Sequence, residues 1–247
     1  MMNGSQPQKL PCLFLLFFAL VNATYANLGE DDTVVLFKIA ELKSGLKLHY
    51  TLSLPRPFSM NKSYPLVVAL HYGGKVTPFF AKDFMISFVE PALKDLEAIL
   101  VAPDCPSEGW TNTISEAAIL ELIFLLMEEY NIDSNCLALL GYSLGGSGTW
   151  YMAARHPDIF PVAIPISAPA DPLTTPVVKD IPLLIIHGEL DDVYPLHEVK
   201  NLYKRQIKYV KETKMVVVDK AGHHDLLRFI PSLKTSIPWI KMMWEER

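Results

Sequence analysis

The sequence predicts an α/β domain: a mainly parallel central sheet with helices on both faces and an antiparallel hairpin at its N-terminal side. Three observations carry this. Apolar runs recur at 65–71, 98–102, 137–140, 162–166, 183–186 and 215–218, continuous rather than alternating, as strands buried on both faces must be. Helix-length segments lie between most of these runs, the arrangement that joins parallel strands through crossovers. Half of the 247 residues are hydrophobic and a fifth are charged, which suffices for one sizeable core.

Residues 1–26 stand apart from that pattern. Lys9 precedes the apolar run 12–21, and small residues follow up to Ala26. This is the layout of a secretory signal peptide, with Thr24 and Ala26 at the two recognition positions and cleavage after Ala26. The run is too short to span a bilayer, which takes about 20 residues, so no stable membrane anchor is expected. Removal leaves 27–247 as a single domain of 221 residues, with 21 basic and 27 acidic side chains, secreted or periplasmic. Part of the positive mean hydropathy, +0.21, belongs to this leader.

Within the domain, 34–40 and 46–54 flank Lys43-Ser44-Gly45 and form the hairpin. Strand 65–71 leads to a helix over 81–96, strand 98–102 to a helix over 115–129, and strand 137–140 to a helix over 144–156. After strands 162–166 and 183–186 come a helix over 196–209, strand 215–218 and a final helical segment, 224–244, which Pro231 and Pro238 kink or divide. Trp150 and Met152 fall on core positions, and the charged stretch 200–214 is mostly a solvated helix face. The connection 167–181 contains three prolines and leaves no room for a substantial lid, so the site it borders is expected to be open.

Composition removes several function classes. The net charge of −5, without a basic block, does not suit nucleic acid. Three cysteines make no disulfide scaffold and match no zinc spacing. Cys105 follows the C-terminal end of one strand and Cys136 precedes the N-terminal end of its neighbour. That separates them by about 15 Å, beyond the roughly 7 Å a disulfide spans, so no bridge is expected. Asn61-Lys62-Ser63 is a glycosylation sequon if the host is eukaryotic.

The chemistry begins at Gly141-Tyr142-Ser143-Leu144-Gly145, between a buried strand and a helix. A G-x-S-x-G pattern is expected about 0.03 times by chance in a chain of this composition, before the strand-to-helix context is required. On such a turn the Ser hydroxyl is exposed above the sheet, and the next helix aims its N–H groups at the nucleophile. A Ser hydroxyl still needs an oriented base. Two later strand ends supply candidates, His187-Gly188-Glu189-Leu190-Asp191-Asp192 and Gly222-His223-His224. In a parallel sheet both emerge at the edge that carries Ser143. Asp171 is a weaker alternative acid. His71 and His187 sit at strand ends beside glycines as loop anchors, and His156 closes a helix.

With these residues in view the chain resembles the α/β-hydrolase superfamily, and within it the small esterases of the phospholipase/carboxylesterase and polyhydroxyalkanoate-depolymerase-like type. The resemblance runs from about Pro65 onward, through LVVALHYGG (66–74), APDCPSEGW (102–110), GYSLGGSGTWYMAARHPDIF (141–160), IPLLIIHGELDDVYP (181–195) and AGHHD (221–225). It implies Ser143 as nucleophile, Asp191 as acid and His223 as base, with Asp192 and His224 as rivals because this chain doubles both letters. It implies an oxyanion hole from the N–H groups of Leu144 and Gly73. Here the loop reads His71-Tyr72-Gly73-Gly74 where relatives usually have His-Gly-x-Gly, so Tyr72 is a second candidate donor. Trp110 and Tyr72 are candidate substrate-contacting residues, and Trp110 serves equally well as rim packing.

The reading is therefore an exported serine esterase acting on small-molecule or polymer esters, without metal or organic cofactor. A serine peptidase or amidase is the alternative enzyme, disfavoured because no propeller or large lid screens peptides. A silent binding protein would be expected to lack a triad member, and none is missing. The sequence leaves the oligomeric state unread.

Overall fold

The computed structural model describes residues 34–246 except 172, 174, 180 and 211; the expected leader lies outside the described residues. Eight strands are present: β1 (Val34–Glu41), β2 (Lys47–Leu54), β3 (Tyr64–Leu70), β4 (Ile99–Pro103), β5 (Ile132–Tyr142), β6 (Val162–Ile166), β7 (Leu183–Gly188) and β8 (Thr213–Val218). They form one sheet in the order β1-β2-β4-β3-β5-β6-β7-β8. The β1–β2 hairpin is antiparallel, closed by a turn in which Gly45 takes φ +81° and donates to Leu42 O at 2.7 Å. β2 also runs antiparallel to β4, and every later pairing is parallel. From β3 the chain crosses to β4 on one side and then returns to β5 on the other. That reversal makes a switch point, where open α/β sheets hold their sites.

The two sheet faces follow from alternation along each strand. Val67 and Ala69 of β3, with Ala138, Leu140 and Tyr142 of β5, pack on the helical segment spanning residues 81–96 and on the C-terminal helices. Leu66, Val68 and Leu70, with Leu137 and Leu139, face the other way, onto α3 (Thr113–Glu129) and α4 (Leu144–Arg155). α5 (Leu196–Gln206) completes that second layer through Val199, packed with Trp150 and Ile185.

Sequence and structure part in small, explicable ways. The first crossover is mixed: α1 (Ala81–Phe84), a wider π turn (Met85–Val89), α2 (Glu90–Leu93) and a 3₁₀ turn (Lys94–Leu96). Pro91, lacking the N–H that would bond back into the preceding turn, sits where the wider turn gives way to α geometry. The C-terminal segment divides at its prolines into a 3₁₀ turn (Leu226–Phe229), α6 (Ile230–Lys234) and α7 (Ile237–Glu245), each proline in a first helical turn, where its missing N–H costs nothing. β5 starts before the apolar run. Tyr64 pairs with Ile132, then the register jumps to Leu66–Leu137, so the intervening polar residues bulge toward solvent. No described helix is long and apolar enough to cross a membrane.

Cys105 and Cys136 are free. Burial pushes both thiols up, that of Cys136 to about 11, with Asp133 beside it adding to the effect. α3 and α4 are tied by Glu116, whose carboxylate accepts from Arg155 Nε at 3.0 Å, His156 Nε2 at 2.6 Å and Tyr151 Oη at 2.9 Å. Burial alone would raise its pKa, but these donors hold it below the ordinary carboxylate value. The unfolded chain therefore binds a proton first as pH falls. The cluster's contribution is complete above the ordinary range and disappears through the depressed folded value. Glu116→Gln should cost about 1–3 kcal/mol at pH 7. In urea titrations the deficit should shrink in acid; one that persists unchanged at low pH would contradict this account.

Candidate active site

Ser143 sits between the last residue of β5 and the first of α4, with φ +54° and ψ −117°. A non-glycine residue in such a region stores strain, of order 1–3 kcal/mol, and persists only where its surroundings over-determine it. Two glycines do so. A Cβ on Gly145 would lie 1.9 Å from Leu70 O, and one on Gly141 would lie 2.2 Å from Gly145 O. Helix and strand thus cross with backbone against backbone, and the residue between is forced outward. The Ser143 N–H donates to Ile166 O at 3.0 Å, anchoring the turn to β6. The first intrahelical bond is Ser147 N–H to Ser143 O at 3.1 Å, so the Leu144 N–H begins the helix without an intrahelical acceptor.

His223, five residues beyond β8, brings Nε2 to 2.8 Å from Ser143 Oγ. Its Nδ1 faces Asp191, 2.9 Å from Oδ2 and 3.1 Å from Oδ1. Asp191 is itself held by the N–H groups of Val193 (3.1 Å) and Tyr194 (2.8 Å), both on Oδ1. Asp191 and His223 are buried, whereas Asp192 and His224 are exposed, so the doubled letters separate cleanly in space. Asp171 is occupied within its own loop, accepting the Leu173 N–H at 2.8 Å.

His71 and His187 hold loops. His71 Nε2 accepts the Cys105 N–H at 2.9 Å, which places the ring proton on Nδ1, donated to Tyr72 O at 2.6 Å. Burial lowers the pKa of His71, favouring this neutral form. His187, lowered in the same way, donates from Nε2 to Tyr194 O at 2.7 Å and so fixes the loop that presents Asp191. Trp110 is fully buried, its indole N–H bonded to His71 O at 2.9 Å. It therefore packs under the His71 loop instead of walling an open pocket. The ring finds room because residue 148 is glycine: a Cβ there would stand 2.3 Å from Trp110 Cβ.

Gly73 lies against Leu144, the position of its absent Cβ being 3.7 Å from Leu144 Cδ2, so the two backbone segments named for an oxyanion hole adjoin. Beside them is a cavity of about 250 Å³ lined by Tyr72, Gly73, Cys105, Glu108 and Leu144 among others. Tyr72 also packs edge-on against Phe84 and Tyr142.

Sequence reasoning missed Tyr142. Its hydroxyl donates to the main-chain oxygen of His223, 81 positions away, and its ring contacts that of His223. Burial, and then the Asp191 carboxylate, push the phenol well above its ordinary value, so it remains a donor. Tyr194, edge-on to His223 with ring centroids 5.3 Å apart, was missed as well. Neither carries a local signal beyond its place next to a motif. Among the described residues no His, Cys, Asp and Glu side chains gather as a metal site.

Residues 43–245 match the family model described as "Putative esterase". The chain belongs to this esterase family. Relatives include a protein named "Probable feruloyl esterase C" from Aspergillus flavus, 29% identical over 154 residues, 59% of this chain and 56% of that protein. Cutinase 1 of Thermobifida cellulosilytica is 29% identical over 116 residues, 44% of this chain and 42% of the cutinase. The aligned part of the chain thus spans about half the length of these relatives. Among solved structures, a thermostable esterase superposes with a TM-score of 0.71 at 26% identity, covering 84% of this chain and 62% of that one. An S-formylglutathione hydrolase from Agrobacterium tumefaciens gives 0.66 at 16% identity, over 91% and 99%, a likeness of fold alone. The architecture is the α/β-hydrolase fold with a paired N-terminal hairpin, as the sequence predicts.

Tyr142→Phe strips the His223 carbonyl of its buried donor and should destabilise the protein by about 1–2 kcal/mol in urea unfolding. A variant as stable as wild type would show that this bond contributes nothing.

Proposed function

We propose that the chain is an exported serine hydrolase of carboxylic esters, with Ser143, His223 and Asp191 as its triad. The observation that carries the reading is the continuous relay from Ser143 Oγ to His223 Nε2 (2.8 Å) and from His223 Nδ1 to Asp191 (2.9 Å), starting on a strained residue at a helix N-terminus. His223 takes the hydroxyl proton as Ser143 Oγ adds to the ester carbonyl, and Asp191 stabilises the imidazolium that results. The Leu144 and Gly73 N–H groups face the oxyanion of the tetrahedral intermediate, where preorganised donors act most strongly. Collapse releases the alcohol with the proton from His223. Water, deprotonated by the same His, then frees the acid from the acyl-enzyme. The cavity beside Gly73 and Leu144 takes one side of the ester. Feruloyl esterase and cutinase relatives make polymer-borne esters the substrate class to test first.

An organophosphonate probe should label Ser143, and aryl esters should turn over faster than the matching aryl amides. Preference for amides would point to a peptidase; a folded protein that takes no label would refute the nucleophile. Ser143→Ala should lose at least about 10⁴-fold in kcat with a nearly unchanged melting temperature. N-terminal sequencing of the exported protein should begin at Asn27, and a mature chain that retains Lys9 would remove the signal-peptide assignment.

A further inference from the structure

A second cavity, about 400 Å³, lies between Ala170 and Thr175–Val177 on one side and the C-terminal end of α5 on the other. That is within the range of small-molecule sites. It is separate from the relay. Trp150, on its wall, stands seven residues beyond Ser143 along α4, about 10 Å by helical rise. The indole N–H of Trp150 is already engaged by Ala168 O at 3.1 Å, so the ring offers the cavity its hydrocarbon surface. Leu202 and Tyr209 extend that apolar wall.

Arg205 and Lys208 line the same cavity, and no acidic side chain among the described residues does. Neither cation forms a salt bridge with any described residue. In a chain of net charge −5 this is, among the described residues, a local excess of positive charge. A third feature is independent of both. Thr175 lines the cavity too, and its hydroxyl is buried without a hydrogen-bond partner, the residue being only 9% exposed. A buried hydroxyl left unpaired is destabilising unless something accepts from it.

We propose that this cavity is a binding site for a small monocarboxylate with a flat apolar body. The guanidinium of Arg205 offers paired N–H groups that match a carboxylate, Lys208 adds charge, and the Thr175 hydroxyl supplies a third donor. The acid's hydrocarbon lies on Trp150, Leu202 and Tyr209. A bare inorganic anion would leave that apolar wall uncovered, which argues for an organic acid. The positive stretch that looks like a plain solvated helix face thus has a partner of defined chemistry. The site does not depend on the chemistry at Ser143.

The test is calorimetric titration of the Ser143→Ala protein with 3-phenylpropionate and, separately, with the neutral 3-phenylpropionamide. The acid should bind, and the amide at least tenfold more weakly. The exposed pair changed together, Arg205→Gln with Lys208→Gln, should weaken the acid at least tenfold and leave the amide unaltered. Thr175→Val should weaken the acid severalfold while keeping or raising the melting temperature, because it removes an orphan hydroxyl without changing side-chain shape. That pair of opposite signs is not expected of a residue that only supports the loop. Equal binding of acid and amide, full affinity in the double variant, or no acid binding up to about 10 mM would each overturn the proposal. If the double variant loses its fold, the amide comparison and Thr175→Val still decide the matter.

Discussion

The site rests on one close crossing, where α4 passes over the end of β3 with the α-carbon of Gly145 against Leu70 O. No side chain fits between them. Because the helix must start at that height above the sheet, the residue that turns from strand to helix has nowhere to relax and takes φ +54°. Its hydroxyl is held outside the sheet as a result, and the first helical N–H groups come level with it. The same crossing sets Leu144 beside Gly73, since the loop bearing Gly73 leaves the strand whose carbonyl meets Gly145. One steric limit, written in two glycines, places the hydroxyl and brings Leu144 beside Gly73.

Around that crossing the polar groups are held by buried hubs rather than by surface pairs. His71 joins its own loop to the β4–α3 connection at two points, receiving Cys105 N–H on the ring and Trp110 N–H on its main-chain oxygen. His187 and the N–H groups of Val193 and Tyr194 do the same for the Asp191 loop. In a low-dielectric interior such bonds are rigid because breaking one strands its partner. Neutrality of His71 and His187 suits this role, since a charged imidazole at these depths would carry a large desolvation cost.

Much of this was legible in the chain. Strands buried on both faces announce themselves as unbroken apolar runs, so seven of the eight strands both begin and end within two residues of the expected positions, and the loops after β5, β7 and β8 could be assigned to one edge. The start of β5 escaped because bulged polar residues interrupt its run. Trp110 stood at a loop position where exposure and burial look alike in sequence; the deciding fact is the missing Cβ of Gly148, 38 positions away. The Tyr142 bond to His223 was invisible for the same reason, a contact made by topology across 81 residues. Local pattern determines elements, and long-range packing determines which side chains hold them.

β8 has a consequence for how the molecule fails. Among the described strands it is one of the two edges of the sheet, laddered to β7, and only one of its six residues is buried. The proposed base hangs from the loop just past it. Sheet margins exchange their amide protons through local opening at far lower free energy than the centre. Opening confined to this margin is enough to part His223 from Ser143, 80 positions away in sequence, and does not require β3, β5 and β6 to unfold. The Tyr142 hydroxyl, at the end of the central strand β5, is the bond that ties this marginal loop back to the middle of the sheet.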